Sequence, residues 1–335
     1  MSAASLDPVA WTMRRYAEAP LRMTFRATDR DGAIAWQELL RDKVAELLGG
    51  FPAELGALDV VRGEVREFPG YVREEITFVS RPGNAVFAYV LTPTAGEGPF
   101  ATVVCVPGHG DGVDEIVGIG GGDYQHGFAL QAVERGLAVV AIEPMGFGRR
   151  RDPLTLERGR QTACEPVSGA ALLLGETMLG WRVWDVMRAV DYIETRPDLD
   201  ARRVGCVGIS GGGTCALFAV ALDSRIRCAY ISGYLNTFRA SIMSVAHCVD
   251  NYVPGILNWA EMYDVAGLIA PRPLFSEAGA YDPIFPVAAS QESFRLVKDI
   301  YAVMGAEDLV QQEIFEGGHS FHGGRGWPFV VDALA

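Results

Sequence analysis

Six short apolar segments alternate with longer amphipathic segments between residue 101 and the C-terminus, and this alternation most constrains the fold. The apolar segments are 101–106, 137–142, 204–209, 227–231, 273–277 and 311–315. The amphipathic segments have helical spacing and fall at about 125–135, 176–195, 211–222, 287–304 and the C-terminal end. Strands that are apolar on both faces need cover on both sides, so the pattern predicts an α/β fold with a mostly parallel central sheet and helices on both faces. Functional groups in such sheets gather in the loops at the carboxyl ends of the strands.

The first 70 residues carry a different pattern. Apolar side chains recur at helical spacing on one face of residues 6–50, at Trp36, Leu39, Leu40, Val44, Leu47 and Leu48. Two alternating segments, 72–80 and 85–92, flank a turn and predict a hairpin. We therefore expect a helical N-terminal extension at 1–70 packed on an α/β domain at 71–335. A lid-like insertion is expected at about 234–265, before the fifth apolar segment.

Charge and cysteine content narrow the function classes. The chain of 335 residues has 29 Lys and Arg against 42 Asp and Glu, a formal net charge of −13. This balance argues against nucleic acid as a partner, because phosphate binding needs clustered cations. The one dense basic run, 149–151, is interpreted as a solvated loop. Six widely separated cysteines predict no disulfide framework, and residues 1–20 show no signal peptide, so we expect a soluble, cytoplasmic protein with no membrane partner.

The loop after segment 204–209 carries a nucleophile motif. Gly208-Ile209-Ser210-Gly211-Gly212 matches G-x-S-x-G between a predicted strand and a predicted helix, which is the context this motif requires. The flanking residues must be glycine because a Cβ there would collide with neighbouring backbone. The motif predicts Ser210 as a nucleophile, and a glycine-rich turn with an incidental serine is the alternative.

A serine nucleophile needs a base, and the base needs an orienting carboxylate. In the chain order typical of this motif the acid and then the histidine follow the serine. His319 follows the last apolar segment through a glycine-rich loop and is the predicted base, with His322 as the second candidate. Asp282 follows the fifth apolar segment and is the predicted acid, ahead of Glu277 and Asp264. An H-x-x-H metal pair at 319 and 322 lacks a third ligand at recognisable spacing, so no metal is expected.

Acyl transfer also needs hydrogen-bond donors for an oxyanion. The backbone N–H of Gly211 is one expected donor, and the loop after segment 101–106 should supply the other. In that loop we favour the N–H of Asp111, then that of Gly110, and interpret His109 as a residue that braces the loop. Side chains expected to line the substrate pocket lie in this loop and in the insertion: His109, Tyr234, His247, Tyr252 and Trp259.

Several stretches together carry a family resemblance: 107–110, 143–148, the motif around Ser210, 268–273, 279–286 and 317–319. From about residue 70 onward the chain resembles the α/β-hydrolase superfamily, particularly the acetyl-xylan-esterase-like and dienelactone-hydrolase-like bacterial serine esterases. Most of residues 1–70 is similar to the helical N-terminal extension of that branch. The resemblance implies an α/β-hydrolase fold and a Ser–His–Asp hydrolase with no metal or organic cofactor. True dienelactone hydrolases use a cysteine where this sequence has Ser210, and the H-G-G-G run of many esterases is absent here.

The motifs and the resemblance predict a serine hydrolase that cleaves small-molecule carboxylic esters, with acetyl or other short acyl groups, through an acyl-enzyme intermediate. An amidase or aminopeptidase of prolyl-oligopeptidase type is the first alternative. The second is a hydrolase-fold protein that binds a ligand without turnover. The acyl and alcohol specificity, and whether the chain forms a homo-oligomer, stay open at this point.

Overall fold

A nine-stranded sheet forms the centre of the protein in a computed structural model that describes residues 6–120 and 124–335. Its strands are β1 (Val61–Phe68), β2 (Tyr71–Arg81), β3 (Asn84–Pro93), β4 (Phe100–Val106), β5 (Ala138–Ile142), β6 (Leu199–Ile209), β7 (Ile226–Ser232), β8 (Leu274–Gly279) and β9 (Val310–Phe315). Their spatial order is β1-β2-β3-β5-β4-β6-β7-β8-β9. The pairs β1–β2, β2–β3 and β3–β5 are antiparallel, and every pair from β5 to β9 is parallel. The predicted α/β fold with a mostly parallel sheet is confirmed.

Helices cover both faces of this sheet. They are α1 (Pro8–Ala17), α2 (Arg30–Leu47), α3 (Val113–Ile116), α4 (Phe128–Val133), α5 (Pro153–Glu157), α6 (Cys164–Leu173), α7 (Met178–Glu194), α8 (Gly211–Leu222), α9 (Met262–Gly267), α10 (Val287–Val303) and α11 (Gly326–Ala333). On one face the apolar core includes Leu40 of α2, Val183 of α7 and Phe218 of α8. On the other it includes Phe128 of α4 and Trp327 of α11. Within the described residues, no helix is both long and apolar enough to cross a membrane.

Three local features differ from the sequence pattern. Strand β1 lies inside the range predicted for the helical extension, and its side chains are almost all exposed, so it carries no apolar signal. Helix α4 begins three residues later than predicted because His126 and Gly127 have positive φ values of 50° and 56°. Leu39 is 62% exposed. The buried stripe of α2 instead follows Ala33, Gln37, Leu40 and Val44.

A buried ion pair holds the loop after β5. Arg150 donates to the Asp185 carboxylate of α7 at 2.7 Å, and the two side chains are 8% and 1% exposed. Arg150 also donates to the side-chain oxygen of Asn84 at 3.0 Å and to the Glu143 carbonyl at 2.9 Å. The interpretation of residues 149–151 as a solvated loop is therefore wrong for Arg150.

Two buried carboxyl groups tie the N-terminal helices to the region between β7 and β8. Glu261 accepts hydrogen bonds from the Tyr16 hydroxyl at 3.0 Å and from the Phe238 N–H at 2.8 Å. Asp264 accepts from the Phe25 N–H at 2.9 Å, and Asp264 and Glu261 also cap the start of α9. The contacts of Tyr16 and Phe25 join segments more than 200 residues apart in the chain.

The contribution of Glu261 and Asp264 to the stability of the fold should fall as the pH rises, because burial raises the pKa of Glu261 from 4.5 to about 7 and that of Asp264 from 3.8 to about 6. A carboxyl group with a raised pKa in the folded state stabilises the fold at low pH, and this contribution is lost as the pH rises through that pKa. In the unaltered protein, Glu261 should lower the free energy of unfolding by roughly 2–3 kcal/mol between about pH 5 and about pH 8. In Glu261→Gln this part of the pH dependence should be absent. Urea denaturation at both pH values measures this, with exposed Glu54→Gln as the control. An unchanged pH slope in Glu261→Gln would contradict the assignment.

Candidate active site

Ser210 occupies a strained turn between β6 and α8. Its φ of 56° and ψ of −123° lie outside the regions that L-residues normally adopt, and its N–H donates to the Ser232 carbonyl at 3.0 Å. A Cβ on Gly212 would overlap the carbonyl oxygens of Val106 and Pro107, and one on Gly208 would overlap the Gly212 carbonyl. The two glycines of the motif are therefore required by close backbone contact, and they hold the serine at the carboxyl edge of the sheet.

Asp282 and His319 form a direct side-chain contact at the same edge. The Asp282 Oδ2 to His319 Nδ1 distance is 2.7 Å. The second carboxylate oxygen accepts from the backbone N–H groups of Ile284 at 2.8 Å and Phe285 at 3.0 Å. The acceptor at Nδ1 assigns the imidazole proton to that nitrogen. The other nitrogen, Nε2, is buried and has no hydrogen-bond partner within the described residues.

The imidazole of His319 is held between two aromatic rings. Tyr124 stacks on it at 5.3 Å between ring centroids and Phe285 at 5.6 Å, with interplanar angles of 24° and 21°. A Cβ on Gly233 would lie 3.0 Å from the Cε1 atom of His319. These neighbours restrict rotation of the ring, so the carboxylate and the aromatic contacts together fix its orientation.

Ser210 and His319 line one pocket of about 460 Å³. The other described residues that line it are His109, Tyr124, Val245, Ala246, His247, Cys248, Pro283 and Ile284. None of these lining residues is Asp, Glu, Lys or Arg. The pocket is therefore built from apolar side chains and a few polar groups, which is typical of sites for small organic ligands.

The second candidates for base and acid lie away from this pocket. His322 stacks on Phe315 at 4.7 Å between ring centroids. Glu277 accepts from the Tyr230 hydroxyl at 2.5 Å and from the N–H groups of His322 and Gly323 at 2.9 and 3.1 Å. Asp264 belongs to the α9 cap described above. Each of these groups therefore has a structural environment of its own.

The loop after β4 lies against Ser210. The contact is made by Gly108 and not by Asp111, the residue that the sequence favours as an oxyanion donor. A Cβ on Gly108 would lie 3.1 Å from the Ser210 Cβ. The sequence predicted the N–H of Asp111 as an oxyanion donor, and this prediction is wrong. The N–H already donates to the Glu115 carboxylate at 2.8 Å. Gly110 also packs against the Glu115 carboxylate. Gly211 is the first residue of α8, where N–H groups have no acceptor within the helix.

The side chain of His109 is part of a largely buried polar network that sequence reasoning missed. Its Nε2 lies 3.1 Å from Asp250 Oδ2, which also accepts from Arg182 at 2.5 Å. The Cys164 Sγ lies 3.3 Å from the same carboxylate oxygen. Burial lowers the pKa of His109, but Asp250 more than offsets this effect and raises it to about 9. These four residues share no spacing along the chain that would have signalled their contact.

Of the five predicted pocket residues, two line the pocket and three do not. His109 and His247 line the pocket with Ser210, and burial lowers the pKa of His247. Tyr234 is 1% exposed and packs against Phe285 beneath the pocket.

Tyr252 and Trp259 were predicted to line the substrate pocket, and this prediction is wrong. The structure places both on the side of the N-terminal helices. The Tyr252 hydroxyl donates to the Ile242 carbonyl at 2.9 Å, and its ring lines a separate cavity of about 260 Å³ together with Tyr16. Trp259 lies beneath the Lys43 ammonium, 4.5 Å from the ring centroid. The insertion thus has two sides, and only one of them faces the pocket.

Comparison with known proteins agrees with this architecture. A curated Bacillus subtilis (strain 168) protein named "Putative hydrolase YtaP" is 29% identical over 243 residues, which cover 69% of this chain and 77% of that protein. A solved structure described as a "putative acetyl xylan esterase" from Bacteroides fragilis NCTC 9343 has a TM-score of 0.80 at 20% identity and covers 93% of this chain and 83% of its own. A glucuronoyl esterase from Solibacter usitatus has a TM-score of 0.68 at 17% identity and covers 94% and 98%.

A family model described as "Abhydrolase family" matches residues 11–316, which is most of the chain. The match includes the nucleophile turn and the Asp282 loop, and it ends just before His319. Together with the sheet order, it confirms the resemblance drawn from the sequence. The chain therefore belongs to the Abhydrolase family, within the α/β-hydrolase superfamily.

Proposed function

We propose that this protein is a serine hydrolase that cleaves carboxylic esters with acetyl or other short acyl groups. The observation that carries the proposal is the contact of Asp282 with His319 Nδ1, which leaves Nε2 unpartnered beside the pocket that Ser210 lines. A partly buried imidazole whose Nδ1 proton is held by a carboxylate is a suitable general base for a neighbouring hydroxyl.

The reaction would follow the acyl-enzyme route. The Ser210 Oγ attacks the ester carbonyl carbon while His319 Nε2 accepts the hydroxyl proton, and Asp282 stabilises the imidazolium that forms. The tetrahedral intermediate collapses, the alcohol leaves with the proton from Nε2, and the acyl group remains on Ser210. A water molecule then attacks the acyl-enzyme, with His319 acting again as base and then as acid.

Two backbone N–H groups are proposed to bind the oxyanion. Gly211 follows the nucleophile and directs its N–H from the first turn of α8. For the second donor we propose the N–H of His109. The preceding residue, Gly108, packs on Ser210, but the Gly108 N–H already donates to Gln125 at 2.8 Å. The His109 imidazole also lies directly against Gly211, at 2.9 Å from a Cβ built there.

The character of the pocket supports a neutral ester as substrate. Val245, Ala246, Pro283 and Ile284 supply an apolar wall, and the described lining residues include no carboxylate. An aminopeptidase needs an anionic group to bind the α-ammonium of its substrate. The alternative of an aminopeptidase therefore has no support from the lining residues. The names of two similar structures, an acetyl xylan esterase and a glucuronoyl esterase, make sugar esters a reasonable part of the test panel.

A fluorophosphonate probe and a substrate panel test the proposal. The probe should label one residue of the folded protein, and peptide mapping should place the label on Ser210. The panel compares p-nitrophenyl esters of increasing acyl length, a sugar acetate and aminoacyl amides, and we expect turnover to be highest with short acyl esters. A protein that binds ligand without turnover would give neither label nor product, and a preference for the amides would favour the amidase alternative.

A further inference from the structure

Four side chains that can ligate a metal meet beside the active-site pocket. They come from three separate segments: His109 from the loop after β4, Cys164 from the start of α6, and Cys248 and Asp250 from the insertion. One nitrogen, two sulfur and one carboxylate oxygen atoms from these residues all lie within 4.8 Å of one another. Both cysteines are free thiols. We propose that this cluster, here called the His109–Cys164–Cys248–Asp250 cluster, binds one Zn²⁺ ion.

The distances within the cluster suit a tetrahedral ion. Zinc bonds of about 2.0–2.3 Å to nitrogen, oxygen and sulfur place neighbouring ligand atoms about 3.3–3.8 Å apart. The distances are 3.1 Å from His109 Nε2 to Asp250 Oδ2, 3.3 Å from Cys164 Sγ to the same oxygen, and 3.8 Å from Cys164 Sγ to His109 Nε2. Shifts of a few tenths of an ångström would therefore complete three edges of the tetrahedron.

The choice of ion follows from the ligand types. Two thiolates with an imidazole and a carboxylate form a mixed soft and borderline set that favours Zn²⁺ over Mg²⁺ or Ca²⁺, which prefer oxygen ligands. Cobalt(II) takes the same tetrahedral arrangement and can serve as a probe. Four protein ligands fill the coordination sphere, so the ion would be structural.

The charges at the cluster also balance when the ion is bound. Two thiolates and one carboxylate carry three negative charges, and Zn²⁺ with the buried Arg182 guanidinium carries three positive charges. Arg182 already donates to Asp250 at 2.5 Å and to the Cys164 Sγ at 3.4 Å, so it would support the ligands from outside the coordination sphere. Arg182 therefore does not exclude the ion but compensates the surplus negative charge of the ligands.

The cluster is open to an entering ion. His109, Cys164 and Cys248 line a surface cavity of about 640 Å³, while Asp250 lies buried beneath them. Binding would join α6 to the loop after β4 and to the insertion, and these last two segments both line the active-site pocket. The ion would thus hold the insertion in place over the pocket. The proposal concerns metal binding and does not depend on the proposed ester hydrolysis.

Titration with Co²⁺ tests the proposal on the full chain after treatment with a chelator and dialysis. We expect thiolate-to-cobalt charge-transfer absorption in the near ultraviolet that saturates at one equivalent of Co²⁺ and disappears when Zn²⁺ is added. We also expect one equivalent of Zn²⁺ to protect Cys164 and Cys248 from alkylation by iodoacetamide, as mapped by mass spectrometry. This measurement uses the unaltered protein, so it decides the matter even if variants fail to fold.

Variants identify the ligands. Cys164→Ser and Cys248→Ser should each weaken Zn²⁺ affinity at least about tenfold, and the double variant should lose the charge-transfer band. Cys228→Ala, at a buried thiol on β7, is the matched control and should bind Co²⁺ as the unaltered chain does. The proposal is overturned if stoichiometric Co²⁺ gives no charge-transfer band, or if the band persists in the double variant.

Discussion

Replacing Ser210 by alanine is expected to lower kcat for p-nitrophenyl acetate by roughly 10⁴–10⁶-fold, with little change in the melting temperature. The reason is that the hydroxyl supplies the attacking oxygen, while the strained turn is held by glycines and by the Ser210 N–H, which alanine retains. Asp282→Asn should lower kcat by about 10⁴-fold, because the amide no longer holds His319 in the tautomer that leaves Nε2 free.

Steady-state kinetics and circular dichroism on the same preparations measure both effects. Ser224→Ala is the matched control, because Ser224 lies exposed in the turn before β7, far from the pocket. Turnover by Ser210→Ala at more than one-hundredth of the original rate would show that another group is the nucleophile. An unaltered rate in Asp282→Asn would remove Asp282 from the mechanism.

Replacing Arg150 by methionine is expected to lower the free energy of unfolding by about 3–5 kcal/mol. The substitution removes the hydrogen-bonded cation of the Asp185 carboxylate, which is 1% exposed. It also removes the donors to Asn84 and to the Glu143 carbonyl. A buried charge that has lost its hydrogen-bonded ion-pair partner is costly, because it cannot reach water.

Urea denaturation of matched variants separates this effect from the general cost of losing an arginine. Arg202 forms an ion pair with Asp200 but its side chain is 88% exposed, so Arg202→Met should cost only about 0–1 kcal/mol. The double variant Arg150→Met, Asp185→Leu should recover more than half of the loss, because it removes both charges. Similar losses for the Arg150 and Arg202 variants would contradict the argument.

The parts of the site that could be predicted share one property. Ser210, Asp282 and His319 each lie within a few residues of the end of a strand, and each strand was visible as a short apolar segment. Parallel strands bring their carboxyl ends to one edge, so three local signals were enough to predict that these residues lie together. The structure places Asp282 and His319 in contact, and Ser210 and His319 line the same pocket. Which of them reacts with substrate stays a prediction.

The insertion shows why other residues could not be predicted. Apart from the single turn-and-a-half helix α9, its described backbone is largely irregular, so no period indicates which side chains face the pocket. His247 faces the pocket, whereas Tyr252 and Trp259 face the N-terminal helices, although all are residue types expected at a binding site. The choice depends on packing against α1 and α2, more than 200 residues away in the chain.

The sequence by itself determined the α/β fold and the glycine-flanked serine turn. It also determined the order along the chain of the three loops that carry the serine, the acid and the histidine. These features depend on hydrophobic periodicity and on steric limits within a few residues, and both are properties of the local sequence. Only the tertiary structure decided that Glu115 occupies the Asp111 N–H, that Arg150 is buried, and that His109 meets Asp250 and the two cysteines. Those contacts depend on the direction of individual side chains and, for most of them, on segments distant in the sequence. Such contacts are fixed by the packing of the whole core, and local spacing carries no record of them.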